Sequence, residues 1–196
     1  KALIYYLSEV KVYEKLYKVN PEKYEKVLGD KYFLLGRLYN GSGLYKEAEK
    51  LLIKARALLY KRVLKASNKE VIIKLIELHD ELGELYLKGK DYKKAEKEYY
   101  SSFDLRQDLT DYNIMNSYFD KSTSFDNLGD LYKHWGKYEE SEDFYIKAIK
   151  ERENLYANRL FCSVSELAVS YSKLAALYKE EQRFKEAEAY IKKARC

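Results

Sequence analysis

Along residues 1–19, 21–40 and 44–66, apolar side chains return every three or four positions, with Lys and Glu filling the places between them. That spacing puts one apolar stripe on each stretch at the period of an α-helix, and alternation at the period of a strand is missing. Short polar breaks interrupt the pattern at "NGSG" (40–43), "KGKD" (88–91), "HWGK" (134–137) and "EEQR" (180–183). Asn20-Pro21 adds a start signal, a capping side chain followed by a proline at the first helical position. The pattern predicts helices near 1–19, 21–40, 44–66, 69–88, 91–108, 112–134, 137–156, 159–180 and 184–195, an all-α chain of nine helices. One Pro and eight Gly in 196 residues agree, because a sandwich or barrel needs many more tight turns.

Within the helical pattern one phrase recurs: "LGRLY" from Leu35, "LGELY" from Leu82, "LGDLY" from Leu128 and "LAALY" from Leu174. The intervals are 47, 46 and 46 residues. Ten residues after each Leu stands a second phrase: "YKEAE" from Tyr45, "YKKAE" from Tyr92, "YEESE" from Tyr138 and "FKEAE" from Phe184. Small residues follow ten positions later, at Ala55, Ser102, Ala148 and Ala194. Each unit reads as helix, tight turn, helix. A glycine inside a helix costs roughly 0.5–1 kcal/mol relative to alanine, so Gly36, Gly83 and Gly129 need a packing reason. Close approach of two helix backbones supplies it, with Ala48, Ala95, Ser141 and Ala187 as the matching small face and the aromatic three residues before each plugging the gap beside the turn. The first three turns hold a Gly that lets a helix end in the left-handed conformation. The fourth, "EEQR", lacks one and is expected to be looser or more helical.

An aromatic, then Leu-Gly-x-x-Tyr, then Ala in the following helix resembles the tetratricopeptide-repeat (TPR) family. Tyr32, Phe125 and Tyr171 fill the aromatic position before Leu, with His79 as the exception. The family's usual period is about 34 residues, and the surplus of about 12 lengthens each helix by roughly 9 Å. The chain in this respect resembles the long-repeat branch, such as the repeats of kinesin light chains and of bacterial sensor and scaffold proteins. The resemblance implies a right-handed superhelix, or α-solenoid, of antiparallel helix pairs. Residues 1–19 form the second helix of a preceding unit, and the units follow near 20–67, 68–110, 111–157 and 158–196, all in one array. The missing initiator Met and the start inside a helical pattern lead to the expectation of a piece of a longer protein, with an uncapped last helix open to self-association.

Composition narrows the function classes. The net charge is +5, from 37 Lys and Arg against 32 Asp and Glu, and the signs are interleaved, which marks solvated helix faces rather than a phosphate-binding surface. Nucleic acid is therefore not expected as a partner. No apolar run is long enough for a membrane span, two cysteines make no disulfide framework or metal cluster, and the expected location is cytoplasmic. No catalytic constellation, cofactor motif or metal site emerges: His79 occupies an aromatic packing slot and His134 a turn beside Trp135. Most of the 22 tyrosines fall on packing positions, including Tyr45, Tyr92 and Tyr138, while Tyr99, Tyr100, Tyr112 and Tyr118 are expected on exposed ridges between units.

The resemblance further implies a concave face lined by first helices, holding a peptide or partner helix. Its inner positions are Phe33, Leu34 and Arg37, then Asp80, Glu81 and Glu84, then Asp126, Asn127 and Asp130, then Ser172, Lys173 and Ala176. Asp80 with Glu84 and Asp126 with Asp130 are like-charge pairs four apart, each costing a few tenths of a kcal/mol, so the middle of the groove reads as acidic and suited to a basic segment. The competing reading is a solvated face in which Lys133 and Lys88 neutralise the acids. The family's carboxylate clamp does not fit: Asn127 and Lys173 match it, but Asp80, Glu84 and Val169 do not. Arg37, Asn40, Asp80, Glu84, Asp126, Asn127, Asp130, Lys133 and Lys173 are the expected partner-binding residues. The expected function is a protein–protein interaction scaffold without enzymatic activity. The alternative is a regulatory sensor or oligomerisation segment that contacts its own chain or another copy.

Overall fold

Asn20 ends the first helix and starts the second: its side chain accepts a hydrogen bond from the Lys23 backbone N–H at 3.1 Å, with Pro21 at the first helical position. In the computed structural model, which describes residues 2–65, 69–110, 121–157 and 164–195, the described residues form α1 (Ala2–Val19), α2 (Pro21–Gly41), α3 (Tyr45–Lys65), α4 (Lys69–Lys88), α5 (Tyr92–Thr110), α6 (Lys121–His134), α7 (Tyr138–Ala157), α8 (Val164–Glu180) and α9 (Phe184–Ala194). These are the nine helices that the periodicity predicts. The expected helical stretches 112–120 and 159–163, and Tyr112, Tyr118, Cys162 and Cys196, lie outside the described residues.

Two compact units divide the chain, Lys1–Asp91 and Tyr92–Cys196. In the first, α1 packs on α2, α2 on α3 and α3 on α4. In the second, α5 packs on α6, α6 on α7, α7 on α8 and α8 on α9. The repeated small and apolar residues form the cores. Leu35, Leu82, Leu128 and Leu174 are fully buried, as are Ala48, Ala95, Ser141, Ala55, Ser102 and Ala148. Each buried Leu contributes about 1.5–3 kcal/mol of transfer free energy.

The glycines are filled by side chains of the partner helix. A Cβ on Gly36 would lie 2.8 Å from Leu52, and one on Gly129 would lie 2.6 Å from the ring of Tyr145. Leu52 and Tyr145 both stand 16 residues after their glycine, so a large residue on the second helix occupies the space the first helix leaves empty. Ser141 adds a hydrogen bond to the Gly129 carbonyl at 2.8 Å.

Two expectations are corrected. The fourth turn is neither looser nor more helical than the others. The residue eight after each Leu has positive φ in all four turns: Gly43 at 76°, Lys90 at 60°, Gly136 at 78° and Gln182 at 61°. The same three hydrogen bonds close each turn, the longest-reaching being Lys137 N–H to Tyr132 O at 2.9 Å in the third and Arg183 N–H to Tyr178 O at 2.8 Å in the fourth. In "KGKD" the left-handed residue is Lys90, not Gly89. Three of the aromatics that open the second helices also do not plug a gap: Tyr45 and Tyr138 are exposed and Phe184 is 65% exposed. Tyr92 instead stacks on Trp135, with ring centroids 5.6 Å apart.

Candidate functional site: the first-helix faces

In the first unit, neighbouring first helices α2 and α4 are bridged by polar pairs along their length. Lys26 meets Glu70 at 2.9 Å, Lys74 meets Asp30, and Glu81 takes both Arg37 Nε at 3.2 Å and Asn40 Nδ2 at 2.7 Å. The separations of about 44 residues follow from the repeat, which sets equivalent positions of successive first helices side by side. Arg37 is 57% exposed and its guanidinium lies 5.6 Å from the Phe33 ring centroid, whereas Asn40 is buried beneath it. Asp80 is half-buried on α4. Glu84, one turn further on, is 50% exposed and pairs with Lys88 at 2.5 Å on its own helix. That hydrogen bond lowers nothing of Glu84's reach toward solvent, and it raises the Lys88 ammonium pKa above its ordinary value.

The second unit treats the corresponding positions differently. Asp126, expected on an open acidic groove, is buried: its carboxylate forms an ion pair with Arg152 of α7 and accepts from the Ser170 hydroxyl of α8 at 3.1 Å. Arg152 also donates to Ser170. Asp126 is thus a core residue, neutralised by a guanidinium 26 residues away on a helix the groove positions did not include. Asp130 accepts from Lys173 at 2.6 Å and from the Tyr145 hydroxyl at 2.5 Å. Burial pushes the Tyr145 phenol far above its usual range, and the nearby Asp130 charge adds to the rise. Lys133 pairs with Glu180 at 2.8 Å rather than with the acids of its own helix, and Asn127 is half-buried on α6. The expectation that Lys88 neutralises a nearby acid holds at Glu84. For Lys133 it is corrected: the next first helix supplies the acid.

The structure therefore joins Arg37 with Asn40, and Asp130 with Lys173, while it removes Asp126 from the exposed set. Of the tyrosines expected on ridges, Tyr100 is exposed and Tyr99 is buried.

A set of contacts that the phrases do not advertise runs between successive repeats inside each unit. The Tyr that ends each phrase donates its hydroxyl to a Glu of the preceding second helix: Tyr86 to Glu49 at 2.8 Å, Tyr132 to Glu96 at 2.6 Å and Tyr178 to Glu142 at 2.7 Å. Each Glu directly follows the repeat's small residue, so the signal was present in "EAEK", "KAEK" and "ESED". Arg183 joins the last rung at 2.5 Å, and its guanidinium, followed by the Tyr178 hydroxyl, holds the Glu142 carboxyl below its ordinary pKa.

Comparison with known proteins places this architecture. Residues 117–155 and 168–194 match the tetratricopeptide repeat family model. No curated protein matches the chain by sequence. Among solved structures, a putative kinesin light chain from Podosopora anserina with nearly identical TPR-like repeats aligns at a TM-score of 0.67 and 16% identity, covering 97% of this chain and 85% of that one. A signal-transduction ATPase with a tetratricopeptide repeat sensor from Pyrococcus horikoshii aligns at 0.67 and 20% identity, over 98% of this chain and 28% of that one. BtubC from P. vanneervenii aligns at 0.56 and 16% identity, over 98% and 88%. At these identities the likeness is one of fold. The chain thus has the all-α, helix-pair fold of TPR-like repeat proteins, and its match to the tetratricopeptide repeat model lies in residues 117–155 and 168–194.

Proposed function

We propose that the chain is a protein-interaction scaffold whose first-helix faces hold a segment of a partner protein, with a basic side chain of that segment directed to α4. TPR-like folds act generally as protein-binding scaffolds rather than enzymes, and among the described residues no helix is long and apolar enough to cross a membrane. The observation that carries the reading is the pairing of Arg37, Asn40 and Glu81 beside half-exposed Glu84. Packing does not call for Arg37 or Glu84, which are at least half exposed while the Leu, Gly, Ala and Tyr positions fill the core. Exposed ion pairs contribute only about 0–1 kcal/mol each to stability. What they do is hold charged groups in place before a partner arrives, which reduces the ordering cost of binding. The mixed signs favour a segment that presents a cation to Glu84 and an acceptor to Arg37, and Asp126 takes no part.

The test is site-specific photo-crosslinking in cell extract with the reactive group at Arg37, at Glu84, or at the α3 residue Ile53. Crosslinks to one common protein from Arg37 and Glu84, lost when the Arg37 probe is combined with Glu84→Lys, are the expected result. Crosslinks from Ile53 alone would overturn the placement on the first-helix face, and an undiminished yield with Glu84→Lys would overturn the basic character of the segment.

A further inference from the structure

The tyrosine-to-glutamate rungs have a gap. Donor and acceptor are 37, 36 and 36 residues apart in the three rungs, and the same step back from Tyr39 reaches Leu3, an aliphatic residue on α1. The register of α1 is fixed independently, since Tyr32 donates to Glu14 with the 18-residue separation that Tyr171 and Glu153 show. The Tyr39 hydroxyl consequently has no hydrogen-bond partner among the described residues. Tyr39 lines an open groove of about 550 Å³ between α1 and α3, in the size range of ligand clefts.

The lining of that cavity has a definite chemistry. Leu7, Leu51 and Ile53 give it an apolar wall. Three lysines, Lys11, Lys50 and Lys54, stand against two glutamates, Glu14 and Glu47. Glu14 is already engaged by Tyr32 at 2.7 Å and by Lys54 at 3.3 Å. Lys11 and Lys50 have no acid partner among the described residues. An unpaired phenol and two uncommitted ammonium groups beside aliphatic side chains form the complement of one carboxylate next to one apolar group. In the other rungs this chemistry is supplied from within, by the glutamate of the preceding second helix. We propose that the α1–α3 groove of the first unit binds a peptide segment in which a glutamate stands beside an aliphatic or aromatic residue, the carboxylate accepting from the Tyr39 hydroxyl and from Lys11 or Lys50. Glu47, also in the lining, disfavours a second carboxylate. This site lies apart from the first-helix face, and it stands or falls separately from the function proposed above.

The experiment is fluorescence-anisotropy titration of the chain with labelled, end-blocked heptapeptides that carry a central Glu flanked by Leu, Ile or Phe, alongside the same peptides with central Gln. The Glu peptides should bind about tenfold more tightly, the margin of a hydrogen bond to a charged acceptor. Tyr39→Phe, which keeps the ring, should remove most of that margin. Leu3→Glu supplies the missing internal carboxylate and should abolish peptide binding while raising the melting temperature. Glu84→Lys, on the first-helix face, should leave the titration unchanged. Equal affinity for Glu and Gln peptides, insensitivity to both Tyr39→Phe and Leu3→Glu, or no binding by any member of the set would overturn the proposal. Decanoate binding in place of the peptides would overturn its peptide character.

Discussion

Phe33, Leu59 and Leu78 in the first unit occupy the same places in the repeat as Asp126, Arg152 and Ser170 in the second: two before the phrase Leu, 24 after it, and four before the next one. In the first unit Leu59 and Leu78 are buried and Phe33 is half-buried. In the second the positions hold a buried ion pair with a shared hydroxyl. One backbone arrangement thus tolerates both solutions. Burying a charge pair is close to neutral against a hydrophobic replacement, because desolvation offsets most of the attraction, yet the paired groups depend on each other as apolar ones do not. The first unit's apolar residues are separable in this sense, and the second's ion pair is all or nothing.

The largest expected effect tests that dependence. Arg152→Leu leaves Asp126 buried without its cation and should destabilise the second unit by about 3–5 kcal/mol in chemical denaturation. The triple replacement Asp126→Phe, Arg152→Leu, Ser170→Leu, which installs the first unit's residues, should restore or exceed the original stability. A triple variant as unstable as the single one would mean that the two units differ in backbone and not only in side chains.

A second contrast concerns the helix glycines. Gly129→Ala sets its Cβ against the Tyr145 ring, whose hydroxyl is tied to Asp130, while Gly36→Ala meets the Leu52 side chain. A tied ring yields less readily than a leucine. Overpacking should cost about 2–3 kcal/mol at Gly129 and about 1 kcal/mol at Gly36, read from denaturation midpoints of the two variants.

These cases also show where the sequence could be read. Positions that answer to a short-range rule were visible: Leu35 and Tyr39 lie one turn apart, Gly36 is anomalous inside a helix, and Asn20-Pro21 marks a start. Asp126 was not, because its charge is cancelled by a residue 26 positions away with no phrase of its own, and an acid four before another acid looks the same buried or exposed. Lys90 and Gln182 were missed for a related reason. Residue type suggests where a left-handed turn is easy, whereas hydrogen bonding across the turn decides where it is required. The rung glutamates were in plain view but read as surface charge, since an exposed carboxylate and one facing a tyrosine in the next repeat share the same sequence pattern.

The rungs themselves provide a smaller effect with a pH signature. Tyr178→Phe removes a hydroxyl donor to Glu142 and should lower stability by about 1 kcal/mol at neutral pH, while Tyr39→Phe, which loses no internal partner, should change it by a few tenths at most. The Glu142 carboxyl has a lowered pKa in the folded protein. Its contribution is therefore present above the unfolded glutamate pKa and is lost as pH falls through the folded value. The gap between wild type and Tyr178→Phe should accordingly close as denaturation is repeated below pH ~4. A gap that is constant with pH would show that the loss comes from packing around the ring rather than from the charged hydrogen bond.

The smallest effect should have the opposite sign, and it compares the four turns directly. Gly43 and Gly136 adopt positive φ without a side chain, whereas Lys90 and Gln182 hold the same conformation with one. A Cβ in the left-handed region crowds the following carbonyl, and glycine removes that strain while increasing the freedom of the unfolded chain. The first term exceeds the second at a helix C-terminal cap, where glycine is the preferred residue. Gln182→Gly and Lys90→Gly should each stabilise by about 0.5–1 kcal/mol, and Gly136→Gln should destabilise by a similar amount. Opposite results at Gln182 would mean that its side chain makes a compensating interaction beyond the turn. The fourth turn would then differ from the third in more than the glycine at its left-handed position.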